Sequence, residues 1–127
     1  MANHRLVILS EHLAVCKLKE DACIPQNLAG LSFFSLTRTA DEVSLVLPEK
    51  DIPSGSQVEL GWRAVKMVGP LDFALTGILA SLAEPLARAG ISIFAISTYD
   101  TDYILVRSGD LDQAVQTLTE SGSIFVQ

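Results

Sequence analysis

The residues best suited to recognising a ligand gather at two places, the segment Gly69, Pro70, Leu71, Asp72 and the turn from Thr98 to Asp102. The first leads into a helical pattern, and a helix N-terminus offers unpaired backbone N–H groups and a partial positive charge, a setting for a carboxylate. The second supplies Thr98, Asp100, Thr101 and Asp102, which with Asp72 can accept hydrogen bonds from an ammonium group. Donors for a carboxylate facing acceptors for an ammonium describe a site for a free amino acid. The same residues also have ordinary structural uses. Asp72 serves equally as a helix N-cap, Gly69 and Pro70 as strand breakers, and Asp100 and Thr101 as turn formers. Asp102 is harder to explain that way, because it is a charged residue opening an otherwise apolar strand.

The signatures of an enzyme are missing. The chain carries no phosphate-cradling glycine loop, no dinucleotide fingerprint, no nucleophile elbow and no zinc-protease helix motif. Its histidines, His4 and His12, lie near the N-terminus, and with Cys16 and Cys23 they lack the close paired spacing of a structural zinc site. Cys16 falls in the apolar run Leu13 to Leu18, where a thiol packs as a small hydrophobe, and the sequence shows no base to activate it. The expectation is a non-enzymatic protein with no catalytic residue, no cofactor and no metal.

The elements that must position the two turns are plainest in the second half. Trp62 to Val68 alternates as a strand, and Gly69 and Pro70 end it. Leu71, Leu75, Ile78, Leu79, Leu82 and Leu86 recur at spacings of three and four, which predicts a helix from Leu71 to about Ala89, capped by Asp72, kinked by Pro85 and stopped by Gly90. Ile91 to Thr98 and Asp102 to Arg107 read as a tight antiparallel hairpin. Asp110 and Gln113 resemble a capping box for a second helix with the stripe Leu111, Ala114, Val115, Leu118, ended by Gly122 and followed by a short strand, Ile124 to Val126. Strand, helix, strand, strand, helix, strand is the order of an α+β, ferredoxin-like βαββαβ sandwich with both helices on one sheet face.

The first half carries a weaker copy. Sliding the chain by 60 positions sets Ser32 to Leu47 over Ser92 to Arg107, with Phe34 on Phe94, Leu45 on Leu105 and Val46 on Val106. Leu13 to Leu18 supplies a preceding strand, so an old duplication is expected, with reduced helices in the first copy because Pro25, Asn27, Gly30, Pro48, Pro53 and Gly55 favour turns. The expected division is a degenerate N-terminal unit, 1–61, and a complete C-terminal unit, 62–127.

Composition bounds the partners. The 127 residues are 49% apolar and 19% charged, enough for one compact body or two very small ones. Fifteen acidic against nine basic residues leave a formal charge of −6, which removes the attraction that a nucleic-acid backbone requires. The most apolar stretch, Phe73 to Ala83, is broken by Thr76, Gly77 and Ser81 and falls short of the roughly 18 residues a membrane span needs. The run Leu6 to Leu9 is too short for a signal-peptide core, and two cysteines make no disulfide framework, so a cytoplasmic protein is expected.

The segment GPLDFALTGILASLAEPLARAGISIFAISTYDTDYILV, Gly69 to Val106, resembles the C-terminal unit of small tandem ACT-domain proteins, and SFFSLTRTADEVSLVLP, Ser32 to Pro48, resembles their first unit. Nearly the whole chain is covered, and it is similar to the ACT pairs of CASTOR-type arginine sensors. The resemblance implies two ferredoxin-like regulatory units in tandem that bind an amino acid at the interface between units. It implies a ligand held where the first strand meets the first helix, at Gly69, Leu71 and Asp72, with Thr98 and Asp102 following the second strand. It also implies that Ser92 and Ile93 are contributed by the facing unit, and hence a homodimer. The first unit departs from this pattern in carrying Arg38 at the position set over Thr98 and in lacking a Gly-Pro-Leu-Asp segment. The surrounding carboxylates favour a cationic ligand such as arginine or lysine. The alternative is a ligand-free regulatory subunit that docks on an enzyme or transporter.

Overall fold

The computed structural model describes residues 4–19, 24–69 and 76–126. In chain order the strands are β1 (Arg5–Ile8), β2 (Leu13–Leu18), β3 (Ser35–Arg38), β4 (Val43–Pro48), β5 (Gln57–Met67), β6 (Ile93–Ser97), β7 (Asp102–Arg107) and β8 (Ile124–Phe125). Helix α1 (Ile78–Arg88) lies between β5 and β6, and α2 (Leu111–Glu120) between β7 and β8. The chain divides into two compact units, one of Met1–Ser10 with Arg63–Gln127 and one of Glu11–Trp62.

The larger unit has the βαββαβ succession β5, α1, β6, β7, α2, β8. Its strands run side by side as β8-β1-β5-β7-β6. Strand β1 is the departure from the expected sandwich: it pairs antiparallel with β5, Leu6 opposite Met67, and parallel with β8, Leu6 opposite Phe125. It stands between the first and last strands of the succession. Among the described residues, 4–10 therefore group with the second half of the chain.

Both helices cover one face of this sheet, as the order of elements predicts. Leu82 and Leu86 of α1 and Ala114 and Leu118 of α2 share one core with Leu6, Val65, Met67, Ile91, Ile104 and Val106. Burying this apolar set is what holds the layers together, at about 25 cal/mol per Å² removed from water.

Two expected helix starts are corrected. Helix α1 begins at Ile78 with Gly77 as its N-cap, not at Leu71 with Asp72 as cap. Gly77 has φ +74°, a left-handed backbone that no continuous right-handed helix passes through. Leu71, Asp72 and Leu75 lie outside the described residues. The capping box at α2 does not form either: Asp110 is its N-cap but makes no side-chain cap bond. At φ −99°, ψ −2°, after the 3-10 turn Ser108–Asp110, its backbone is not in the extended region from which a cap side chain reaches the helix N–H groups. The helix ends agree with expectation. Gly90 is left-handed, and Ile91 N–H bonds to Leu86 O at 2.9 Å while Gly90 N–H bonds to Ala87 O at 3.0 Å. The chain reverses directly into β6. Pro85 is accommodated within α1.

The smaller unit orders its strands β3-β4-β2-β5. Its core joins Ala14 and Cys16 of β2 to Leu45 and Leu47 of β4, closed by Leu28, Leu31 and Ile52. Leu28 belongs to a 3-10 turn, Leu28–Gly30, and Ile52 follows another, Glu49–Asp51, so short turns stand where the larger unit has helices.

The two hairpins correspond at a spacing of 59, not 60. Arg38 pairs with Val43 across the first turn and Ser97 with Asp102 across the second. At that offset Leu45 and Leu47, in one core, fall on Ile104 and Val106 in the other. A slip of one residue would turn every side chain to the opposite face, so packing fixes the register that identity matches misplace.

Candidate functional site

The β6–β7 turn is built by threonine. Thr98 N–H donates to Thr101 O at 2.8 Å, Thr98 Oγ1 donates to the same oxygen at 3.1 Å, and Thr101 N–H donates back to Thr98 Oγ1 at 3.2 Å. The hydroxyl of Thr98 is thus engaged in shaping the turn. Thr101 does something different. It is 5% exposed, and its hydroxyl donates to the backbone carbonyl of Met67 at 2.7 Å. That bond seats the turn against the end of β5, one residue short of Val68 and two short of Gly69. On the other side of the same strand end, Val68 N–H donates to Arg5 O at 2.8 Å.

Asp102 opens β7 beside this junction. Its side chain alternates with Tyr103, which faces Lys66 with 5.9 Å between Nζ and the ring centre, and shares a face with the core residues Ile104 and Val106. The carboxylate therefore stands at the rim of the layer between sheet and helices. It is half-buried, and Ser97, directly opposite on β6, donates its hydroxyl to Oδ1 at 2.6 Å. A charged group at the end of an apolar strand is held in place by a neutral donor, which leaves its charge uncompensated by any cation within the pair.

The structure brings Gly69, an exposed bend, Thr98 and Asp102 to one end of the sheet. It separates them from Ile93, at the opposite end of β6, and Ser92 just before it, about 13 and 16 Å along the strand from Ser97 at roughly 3.3 Å per residue. Ser92 is exposed, and the side chain of Ile93 packs against the core. Leu71 and Asp72 lie outside the described residues. Sequence reasoning named Thr101 only as one polar turn residue among several and missed Ser97 altogether. The spacing Thr-x-x-Thr and the Ser97 position one residue before it were the available signals.

The first unit repeats the turn with a difference. Thr39 N–H donates to Glu42 O at 2.9 Å, and Glu42 N–H donates to Thr39 Oγ1 at 3.1 Å. Thr39, not Arg38, is the counterpart of Thr98, which corrects the departure expected at Arg38. The counterpart of the buried Thr101 is Glu42, which is exposed.

A family model of the ACT domain matches residues 57–120, half of the chain, and a second model, described as an N-terminal domain, matches residues 11–55. The fold and these matches define a regulatory protein of ACT type, and the chain belongs to the ACT-domain family. Among individual relatives, it is 32% identical to the human putative protein CASTOR3P, over 87% of this chain and 84% of that protein. It is 33% identical to the bovine cytosolic arginine sensor for mTORC1 subunit 1 over 73% of this chain, and spans 32% of the length of that relative. Among solved structures, protein Atu0741 of Agrobacterium tumefaciens superposes with a TM-score of 0.91 at 37% identity, covering 99% of this chain and 94% of that one. The Clostridium acetobutylicum aspartate kinase shares the fold at a TM-score of 0.66 and 16% identity, over 88% of this chain and 33% of that one.

Proposed function

We propose that this chain is a non-enzymatic, cytoplasmic sensor of a free amino acid, with the ligand held where β5 ends beside the β6–β7 turn. The observation that carries this reading is the Asp102 carboxylate, half-buried at the rim of the helix-covered face, oriented by Ser97 and adjacent to the exposed bend at Gly69. A carboxylate oriented in advance accepts an ammonium through charge-assisted hydrogen bonds, which are stronger than neutral ones. Relatives named as cytosolic arginine sensors support a cationic ligand such as arginine or lysine. Ser92 and Ile93, remote from Asp102 within one chain, meet a ligand only if a second copy supplies them, so the reading includes a homodimer. Leu71 and Asp72, which lie outside the described residues, belong to the proposed site through the resemblance, Asp72 as a further acceptor for the ammonium group. A ligand with different affinities for two states shifts the balance between them, which is what regulation of an enzyme or transporter target requires.

A thermal-shift panel of the twenty amino acids tests the reading. A ligand that binds only the native state at a hundredfold excess over Kd adds about 2.7 kcal/mol, a rise of several degrees in Tm. Such a rise with arginine, lysine or a few related amino acids is expected. No rise with any of them would contradict it and favour a ligand-free docking subunit.

A further inference from the structure

We propose that Thr101 is the positioning residue of the ligand turn, a latch that fixes the spacing between Asp102 and the end of β5; this rests on the amino-acid reading above. The bonds between Thr98 and Thr101 lie within four consecutive residues, so they set the shape of the turn but not its place. The Thr101 hydroxyl instead reaches 34 residues back in sequence to Met67 O, and it is buried. A buried hydroxyl needs a partner, so the hydroxyl and the carbonyl each hold the other at a definite separation. The first unit supplies an internal contrast. Its turn has the same threonine-centred bonds, but at the equivalent of Thr101 it has an exposed Glu42. Shape is therefore common to both turns, and the buried threonine hydroxyl belongs to the turn that carries the strand-opening aspartate. At the corresponding place the first unit has Val43, which has no charge to offer.

A ligand bound through both ends needs the two halves of its site preset, because any search for the right spacing is subtracted from affinity. The chain would be titrated calorimetrically with L-arginine, L-lysine and the other amino acids that raise its Tm, alongside three variants. Thr101→Val keeps the shape and removes the hydroxyl, and is expected to weaken binding about five- to tenfold, the span of one lost hydrogen bond. Thr101→Ser keeps the hydroxyl and is expected within about twofold of the natural protein. Leu118→Val loosens the core in α2 without touching the turn, and is expected to leave Kd unchanged. If Thr101→Val does not fold, Thr101→Ala takes its place. Equal binding by Thr101→Val overturns the latch, as does equal weakening by Leu118→Val. If the natural protein binds no amino acid, the sensor reading falls and the latch with it. Unchanged binding by Thr101→Val in a protein that does bind overturns the latch alone.

Discussion

Asp102 carries the charge of the candidate site, and its setting makes its contribution measurable. With Ser97 donating to one carboxylate oxygen at 2.6 Å, the group is oriented before any ligand arrives. Asp102→Asn keeps the shape and removes the charge, and should cost about 1.5 to 3 kcal/mol of amino-acid affinity, read by calorimetric titration. The position of Asp102 at the head of β7 was legible in the sequence, because a charge opening an apolar strand is unusual. The role of Thr101 was not, because a turn threonine is ordinarily exposed and only the packing of the turn on β5 buries this one. Cys16 behaves as its apolar run foretells: burial raises the pKa of its thiol above the usual 9.0. Below that value the thiol is neutral both folded and unfolded, and its contribution is complete. Above it the unfolded chain gains by ionising first, so folded stability should fall as pH rises past 9.0. Urea midpoints compared with those of Cys16→Val should show that decline only in the natural protein.

At the scale of elements, the apolar periods were faithful where one helix or strand is amphipathic and misleading where backbone conformation decides. The stripe Leu111, Ala114, Leu118 placed α2 well, and β6 and β7 lie within a residue or two of their expected bounds. The long stripe from Leu71 ran past Gly77, because spacing alone does not register a left-handed residue inside an apolar pattern. Gly77→Ala should therefore destabilise the fold by about 1 kcal/mol, since alanine resists φ +74° although the space beside it is open. Chemical denaturation is the direct check, and a stabilised variant would mean that the helix can begin earlier. The hairpin offset of 59 makes the same point for strands, since identities favoured 60 and the side-chain faces decide otherwise.

For the whole molecule, the order of elements gave the ferredoxin-like succession, and its completion came from the run at Leu6 to Leu9, which the sequence marks as apolar but not as a strand of this sheet. Leu6 is fully buried, and β1 bonds to both β5 and β8. A chain shortened to residues 11–127 should lose cooperative thermal unfolding, followed by circular dichroism, because β8 forfeits its partner and the core a leucine. Retained cooperativity would show that β1 is an ornament of the sheet.

In the proposed function an amino acid binds at the β6–β7 turn. The most direct test is an NMR titration of the isotope-labelled full chain with L-arginine, following backbone amides. Saturable shifts concentrated at Gly69 and at Thr98 to Asp102, with the Thr39 to Glu42 turn unmoved, are predicted. Shifts confined to the Glu11–Trp62 unit, or none with arginine or any other amino acid, would contradict it.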